Sequence, residues 1–155
     1  ISLPVLKKLE VSSASRGSVS GFESGADFDL KVSGASRLEI DMAADKITAN
    51  ISGASKVTGS MELQAARFIV TGASRCDLTG SAGRVMVEAA GASRVDMSGF
   101  VAQGVDVNIS GASRATVNTN GDLSVEMSGA STLDYLGKPS LNLVSITGAS
   151  RILNR

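Results

Sequence analysis

Apolar and polar residues alternate with a period of two along most of this chain. Leu30-Lys31-Val32 and Val107-Asn108-Ile109 are typical segments. Alternation of this kind predicts β-strands that bury one face and expose the other to water. No segment shows a convincing helical period, so the pattern predicts an all-β protein.

The alternation recurs at a nearly fixed interval around a Gly-Ala-Ser triplet. Successive copies are 18 to 21 residues apart, with a repeat near 19. Apolar residues generally lie two and four positions before each triplet and four positions after its first residue. Complete triplets begin at Gly34, Gly53, Gly72, Gly91, Gly111, Gly129 and Gly148, and a degenerate copy begins at Ser13. An internal repeat of this length indicates stacked structural units.

Stacking is required because a single copy cannot bury its own apolar face. In a stack, each strand pairs with its counterpart one coil away. The repeat therefore predicts a single-stranded, right-handed parallel β-helix of about eight coils, each with two or three short strands joined by tight corners. A propeller needs about 40 residues per blade, and leucine-rich repeats need columns of Leu and Asn, so neither fits. We expect residues 1–155 to form one β-helix domain that is part of a longer protein.

Each triplet is expected to form a corner. Glycine permits a positive φ or a close approach of two backbones there, and this gives the seven triplet glycines a structural role. The serine column has two alternatives. With strict alternation the hydroxyls point inward and could form a hydrogen-bonded chain along the rod. If the corner breaks the alternation, they cap backbone groups at the bend.

A basic residue follows the triplet in seven of the eight copies, and Thr132 stands in the remaining one. Stacked coils would place these cations roughly 5 Å apart, where they could bind an acidic polysaccharide or a lipopolysaccharide phosphate. The alternative is a structural ladder, because acidic residues lie two positions further on in four copies and could pair with the cations rung by rung. The basic residues are Arg16, Arg37, Lys56, Arg75, Arg94, Arg114 and Arg151, and the acidic residues are Glu39, Asp77, Asp96 and Asp134.

Composition limits the available chemistry. Fifteen Lys and Arg residues balance fifteen Asp and Glu residues, which argues against nucleic acid as a partner. No apolar run is long enough for a membrane span, so we expect no membrane insertion. The chain has no His and a single cysteine, Cys76, so it lacks His-based catalytic pairs, imidazole metal ligands and an internal disulfide. We expect no cofactor and no metal site, and Cys76 should be a small buried residue.

Carboxylates are the only plausible catalytic groups, and those that align are spread evenly along the predicted rod. A catalytic site would break the repeat at one level with an inserted loop, and the small variation in step length leaves no room for one. We therefore expect a protein that is not an enzyme. The alternative is a polysaccharide-binding or polysaccharide-active β-helix that uses the Arg/Asp face.

The ends of the predicted rod should promote association with other protein chains. A solenoid exposes unpaired strand edges at its first and last coils, and such edges invite association. We expect a homo-oligomer through terminal coils, or packing against other parts of a longer protein. Pro4 and Pro139 are expected to interrupt strand pairing locally.

The complete motif resembles a known bacterial family. Leu30–Glu39 and Val107–Ala115 read as alternating apolar residues, then Ser-Gly-Ala-Ser, a basic residue and a further apolar residue. This pattern is similar to the putative auto-transporter adhesin, head GIN domain family, and the similarity extends through all eight copies. It implies a right-handed parallel β-helix exported to the periplasm, the outer-membrane surface or the extracellular space. It further implies an adhesin or a structural scaffold, with a surface glycan or protein as partner.

Overall fold

A computed structural model of the chain describes residues 8–154, including the side chains in that range apart from those of residues 19–26. The described residues form one parallel sheet, and none of them forms a helix that could cross a membrane. The strands are β1 (Lys8–Val11), β2 (Arg16–Val32), β3 (Arg37–Ile51), β4 (Lys56–Val70), β5 (Arg75–Ala89), β6 (Arg94–Ile109), β7 (Arg114–Met127), β8 (Thr132–Leu136), β9 (Ser140–Ile146) and β10 (Arg151–Asn154).

Each strand pairs with the strand one coil away. The sheet runs in the order β1 to β8 and then β10, and β9 pairs with β7. It forms a β-solenoid of about seven turns with a repeat of about 19 residues, which confirms the predicted fold class. The sequence-based prediction of about eight coils came from the number of triplets. Eight triplets have seven intervals between them, and each interval is one complete turn.

A full coil contains one continuous strand, so the prediction of two or three short strands per coil was wrong. Strands β3, β4 and β5 each have 15 residues. Within β3, inward and outward positions alternate until Asp45 and Lys46, which are both exposed, and then alternate again. The chain therefore bends at this point while the pairing with β4 continues on either side. Continuous pairing between coils is the reason that the bend does not divide the strand.

The core is a stack of inward columns. Leu38, Val57, Cys76, Val95 and Ala115 occupy equivalent positions in successive coils, and each is almost completely buried. Direct register places like residues above like ones, so every coil buries its apolar face against the next. The alternation in the sequence predicted these positions correctly.

The last coil differs from the others. Strand β8 ends at Leu136 and β9 begins at Ser140, with Gly137 at a φ of 91° and Pro139 between them. The predicted interruption at Pro139 is present because proline cannot donate a hydrogen bond to a neighbouring strand. Pro4 lies outside the described residues.

Candidate functional site

The triplet glycines form a column in which no other residue fits without strain. Their φ values lie between 70° and 78°, a region that favours glycine. A β carbon at Gly72 would lie 2.5 Å from the carbonyl oxygen of Gly53 in the preceding coil. The corner backbones can approach this closely because neither glycine has a side chain, and Ala54 N–H donates to the Gly34 carbonyl at 2.8 Å.

The triplet serines combine features of both sequence-based alternatives. Ser36, Ser55, Ser74, Ser93, Ser113 and Ser131 are buried, as strict alternation predicted. Their hydroxyls nevertheless donate to backbone carbonyls and form no chain with one another. Ser93 Oγ, for example, lies 2.7 Å from the carbonyl oxygen of Ala90 in its own corner and 3.3 Å from that of Gly72 in the preceding coil. All six hydroxyls reach a carbonyl of the preceding coil, and all except that of Ser74 also bond to a carbonyl of their own corner.

The structure places the seven basic residues in one column, with Thr132 as its single uncharged member. The direct pairs run from Arg16 through Arg37, Lys56, Arg75, Arg94, Arg114 and Thr132 to Arg151. None of the register shifts falls at a member of this basic column. Lys56 is half-buried, and the other six cations are exposed. Neighbouring coils lie about 4.8 Å apart, so the basic column is a straight row of charges along the rod.

Internal pairing accounts for only part of the charge of the basic column. Arg75 Nε donates to Asp77 Oδ2 at 3.0 Å, within the same coil. Arg37 forms no ion pair with Glu39 within the described part of the chain, and Arg114 and Arg151 are followed at the same distance by Thr116 and Leu153. Pairing is therefore not uniform from rung to rung. Like charges that face each other across strands repel, so the basic column favours a counter-charge from outside.

The surroundings of the basic column have low relief. The glycine and alanine of every complete triplet, three and two positions before the basic column, are exposed. The three phenylalanines whose side chains are described, Phe28, Phe68 and Phe100, are buried in the core, and Tyr135 packs against the core from a half-buried position. Among the described residues, this face therefore offers charges and hydrogen-bond donors rather than exposed aromatic rings.

A second face carries ion pairs that link neighbouring coils. This second face consists of the outward residues after the bend, in the segments 46–50, 65–69, 84–88, 104–108 and 122–126. Arg67 lies 3.3 Å from Glu88, and Arg84 lies 2.9 Å from Asp106. The hydrogen bond and the charge of Asp106 raise the pKa of Arg84 above its ordinary value. Both pairs are diagonal, so each joins two coils.

Shallow clefts also lie on the second face, and sequence reasoning missed them. Met86, Asp106, Ser124 and Leu143 contribute to one cleft, and Met86 and Leu143 are exposed by 38% and 58%. These four residues lie five positions before their triplet glycines, so counting backwards could have aligned them. These four side chains differ in chemical type, however, so the sequence shows no motif at this position of the repeat.

Two further expectations concern single residues and metals. Cys76 is buried, and burial raises the pKa of its thiol, with a smaller contribution from the charge of Asp77. Three or more His, Cys, Asp or Glu side chains do not come together as a metal-binding group anywhere in the described ranges. The aligned carboxylates are instead distributed along the rod.

The repeated sequence that forms these corners and coils matches a known family. The sequence profile described as Putative auto-transporter adhesin, head GIN domain, matches residues 1–139. The chain belongs to this family. The family's description implies a surface or exported protein. Neither a curated protein nor a solved structure matches the chain significantly.

Proposed function

We propose that this β-solenoid is a non-enzymatic interaction module of the cell envelope or cell surface, and that it attaches to acidic glycans through the basic column. The observation that carries the proposal is the row of exposed cations in direct register, in which Arg75 is neutralised by Asp77 while Arg37, Arg114 and Arg151 lack an ion pair among the described residues. An acidic polymer supplies the counter-charge that the fold does not provide.

The regularity of the coils supports an interaction module over an enzyme. Strands β3, β4 and β5 have equal length, and every corner from Gly53 onward makes the same three backbone hydrogen bonds to the preceding corner. A surface built in this way presents one side-chain type many times. Catalysis requires different groups that converge at one level, whereas adhesion gains from repeated weak contacts.

Binding to polygalacturonate, with neutral dextran as the reference ligand, tests the proposal. The double variant Arg94→Ala/Arg114→Ala removes two adjacent cations of the basic column. We expect roughly tenfold weaker binding, because each Arg-carboxylate contact is charge-assisted. Binding of the unmodified protein should also weaken as the salt concentration rises.

The matched control is Arg67→Ala/Arg84→Ala, which removes two cations from the second face. Both double variants change the net charge equally, so a general charge effect would weaken binding equally. Attachment through the basic column predicts that the control binds like the unmodified protein. Equal loss in both variants, or no binding to polygalacturonate at any salt concentration, would contradict the proposal.

A second proposal concerns self-association through the last coil. Leu141 and Val144 are exposed by 47% and 45%, whereas Leu123 and Val125, their register partners in the preceding coil, are almost completely buried. The core columns therefore continue into the last coil and are left uncovered there. We propose that a second copy of the chain covers this apolar end.

The corner column favours contact between two C-terminal ends. Ser13 occupies the first corner with a φ of 58°, where every later corner has glycine. Each later glycine has the backbone of the preceding corner at 2.5–2.9 Å from the site of its missing β carbon. The side chain of Ser13 therefore obstructs the stacking of Gly148 from another copy, so a head-to-tail arrangement in register is disfavoured. Two C-terminal ends related by two-fold symmetry avoid this obstruction.

Sedimentation velocity over a range of protein concentrations tests the self-association. We expect a dimer that Leu141→Lys/Val144→Lys dissociates, because charges replace apolar contacts. Val101→Lys, at an apolar residue exposed elsewhere on the surface, is the control and should leave the dimer intact. A monomer at every concentration would show that the last coil does not pair with a second copy.

A further inference from the structure

We infer that the partner of the basic column is a linear, unbranched polyuronate that lies parallel to the axis of the solenoid, with about one carboxylate for each coil. This inference rests on the proposed function and adds the form of the ligand and its direction. The direct register of the basic column carries it, since Arg37, Lys56 and Arg75 lie at equivalent positions in three successive strands.

The spacing of the cations determines the direction. Successive members of the basic column are one strand spacing apart, about 4.8 Å, which is comparable to the length of one sugar ring in an extended chain. From Arg16 to Arg151 the basic column spans seven such spacings, or roughly 35 Å. A polymer that crossed the rod would meet one cation, whereas a polymer along the rod meets up to seven.

The chemistry of the face determines the polymer class. All six exposed members of the basic column are arginines, and a guanidinium can donate two parallel hydrogen bonds to one carboxylate. No exposed aromatic ring occurs among the described side chains, so the face lacks the groups that bind uncharged sugar rings by stacking. A ligand held by charge alone needs a carboxylate on nearly every sugar. The exposed glycine and alanine residues beside the basic column leave steric room for its rings.

Ligand length provides the first test, with the unmodified protein. Oligogalacturonates of increasing length, with methyl-esterified oligomers of the same lengths as uncharged controls, are titrated by calorimetry. We expect the affinity to rise with each added uronate and to level off when the oligomer spans roughly 35 Å. The salt dependence should steepen over the same range, because more ion contacts form.

Substitutions within the basic column provide the second test. Thr132→Arg fills the single gap, so we expect several-fold tighter binding of long oligomers and no change for the disaccharide. Arg37→Ala/Arg151→Ala removes cations near the two ends and should weaken only the long oligomers. Arg94→Ala/Arg114→Ala, in the middle, should weaken oligomers of every length.

The outcomes separate this inference from the proposed function. One outcome is that affinity per carboxylate does not depend on oligomer length and Thr132→Arg has no effect, while Arg94→Ala/Arg114→Ala still weakens binding. The basic column would then be a binding face, but the inference that the polymer lies parallel to the solenoid axis would be wrong. If no acidic oligomer binds, both proposals fail. Because the length series uses the unmodified protein, a poorly folded variant cannot obscure the result.

Discussion

The carbonyl oxygen of Gly53 lies 2.5 Å from the point where a β carbon of Gly72 would stand. The two residues occupy the same corner in successive coils, and both have a φ near 75°. The corners can stack this closely only because the β carbon is missing, and the same close approach repeats along the column of triplet glycines. Glycine is thus required twice at each corner, once for its backbone conformation and once for the close approach.

The substitution Gly72→Ala should destabilise the protein by at least about 2 kcal/mol, because it combines an unfavourable φ with a collision against backbone. Gly104→Ala is the matched control, since a β carbon there would have its nearest neighbour at 3.9 Å and the φ is not in the left-handed range. We expect the control to change stability by no more than about 1 kcal/mol. Urea unfolding of both variants measures the difference, and equal losses would contradict the role of the corner contact.

The buried serines should contribute to stability through their hydroxyls. In Ser93→Ala, the carbonyl of Ala90 loses its 2.7 Å hydrogen bond, and the carbonyls of Val70 and Gly72 lose a hydroxyl that lies 3.2 Å and 3.3 Å away. A loss of about 1–2 kcal/mol in the free energy of unfolding is expected. Ser81→Ala, at an exposed position of β5, is the control and should have little effect. If the two variants unfold at the same urea concentration, the corner hydrogen bonds are not stabilising.

The protonation of Cys76 should make stability depend on pH in alkaline solution. Burial raises the pKa of this thiol, so the folded protein keeps the proton while the unfolded chain loses it near its ordinary pKa. Unfolding then releases a proton, and stability falls as the pH rises above about 9, by up to about 1.4 kcal/mol per pH unit. Below that pH the thiol is protonated in both states and has no such effect.

The control for this titration is Cys76→Val, because Val57 and Val95 occupy the same column in the adjacent coils. Other groups titrate equally in both proteins, so the difference between their unfolding free energies isolates the thiol. This difference should be constant between pH 6 and 8 and should change above about pH 9. A difference that stays constant up to pH 10 would mean that the thiol ionises equally well in the folded state.

The ion pair between Arg75 and Asp77 should limit binding to an acidic ligand. In the unmodified protein, Arg75 Nε donates to Asp77 Oδ2 at 3.0 Å. Asp77→Asn removes the carboxylate charge with little change in shape, and it frees the Arg75 guanidinium for a ligand. We expect the variant to bind polygalacturonate several-fold more tightly than the unmodified protein does. The free energy of unfolding should change by less than about 1 kcal/mol, since surface ion pairs contribute little to stability. Calorimetric titration measures the affinity, and unchanged binding would indicate that Arg75 does not contact the ligand.

Columns were the most predictable part of this protein. The inward position of Cys76 follows from its distance to the triplet, because alternation in a strand is a local property of the backbone. The stacking of Arg37 on Lys56 follows in the same way, because equal repeat lengths bring equivalent residues into register.

Contacts between coils were less predictable. Arg67 and Glu88 are 21 residues apart and belong to different columns, so no repeated motif marks their ion pair. The Ser93 hydroxyl could be assigned either to the interior or to the corner from its spacing alone. It satisfies both because the positive φ of Gly91 turns the chain so that a buried hydroxyl reaches the carbonyl of Ala90.

The amino-acid sequence by itself determined the all-β class, the repeat of about 19 residues, the corner positions and the membership of the basic column. These properties depend on periodicity, which can be recognised from the order of the residues alone. The tertiary structure alone decided that one strand continues around each coil, that Arg75 is paired while Arg37 is not, and that Leu141 and Val144 lie uncovered at the last coil. Those properties depend on distances of a few ångströms between side chains and backbones of different coils, and such distances are set only when the coils are stacked.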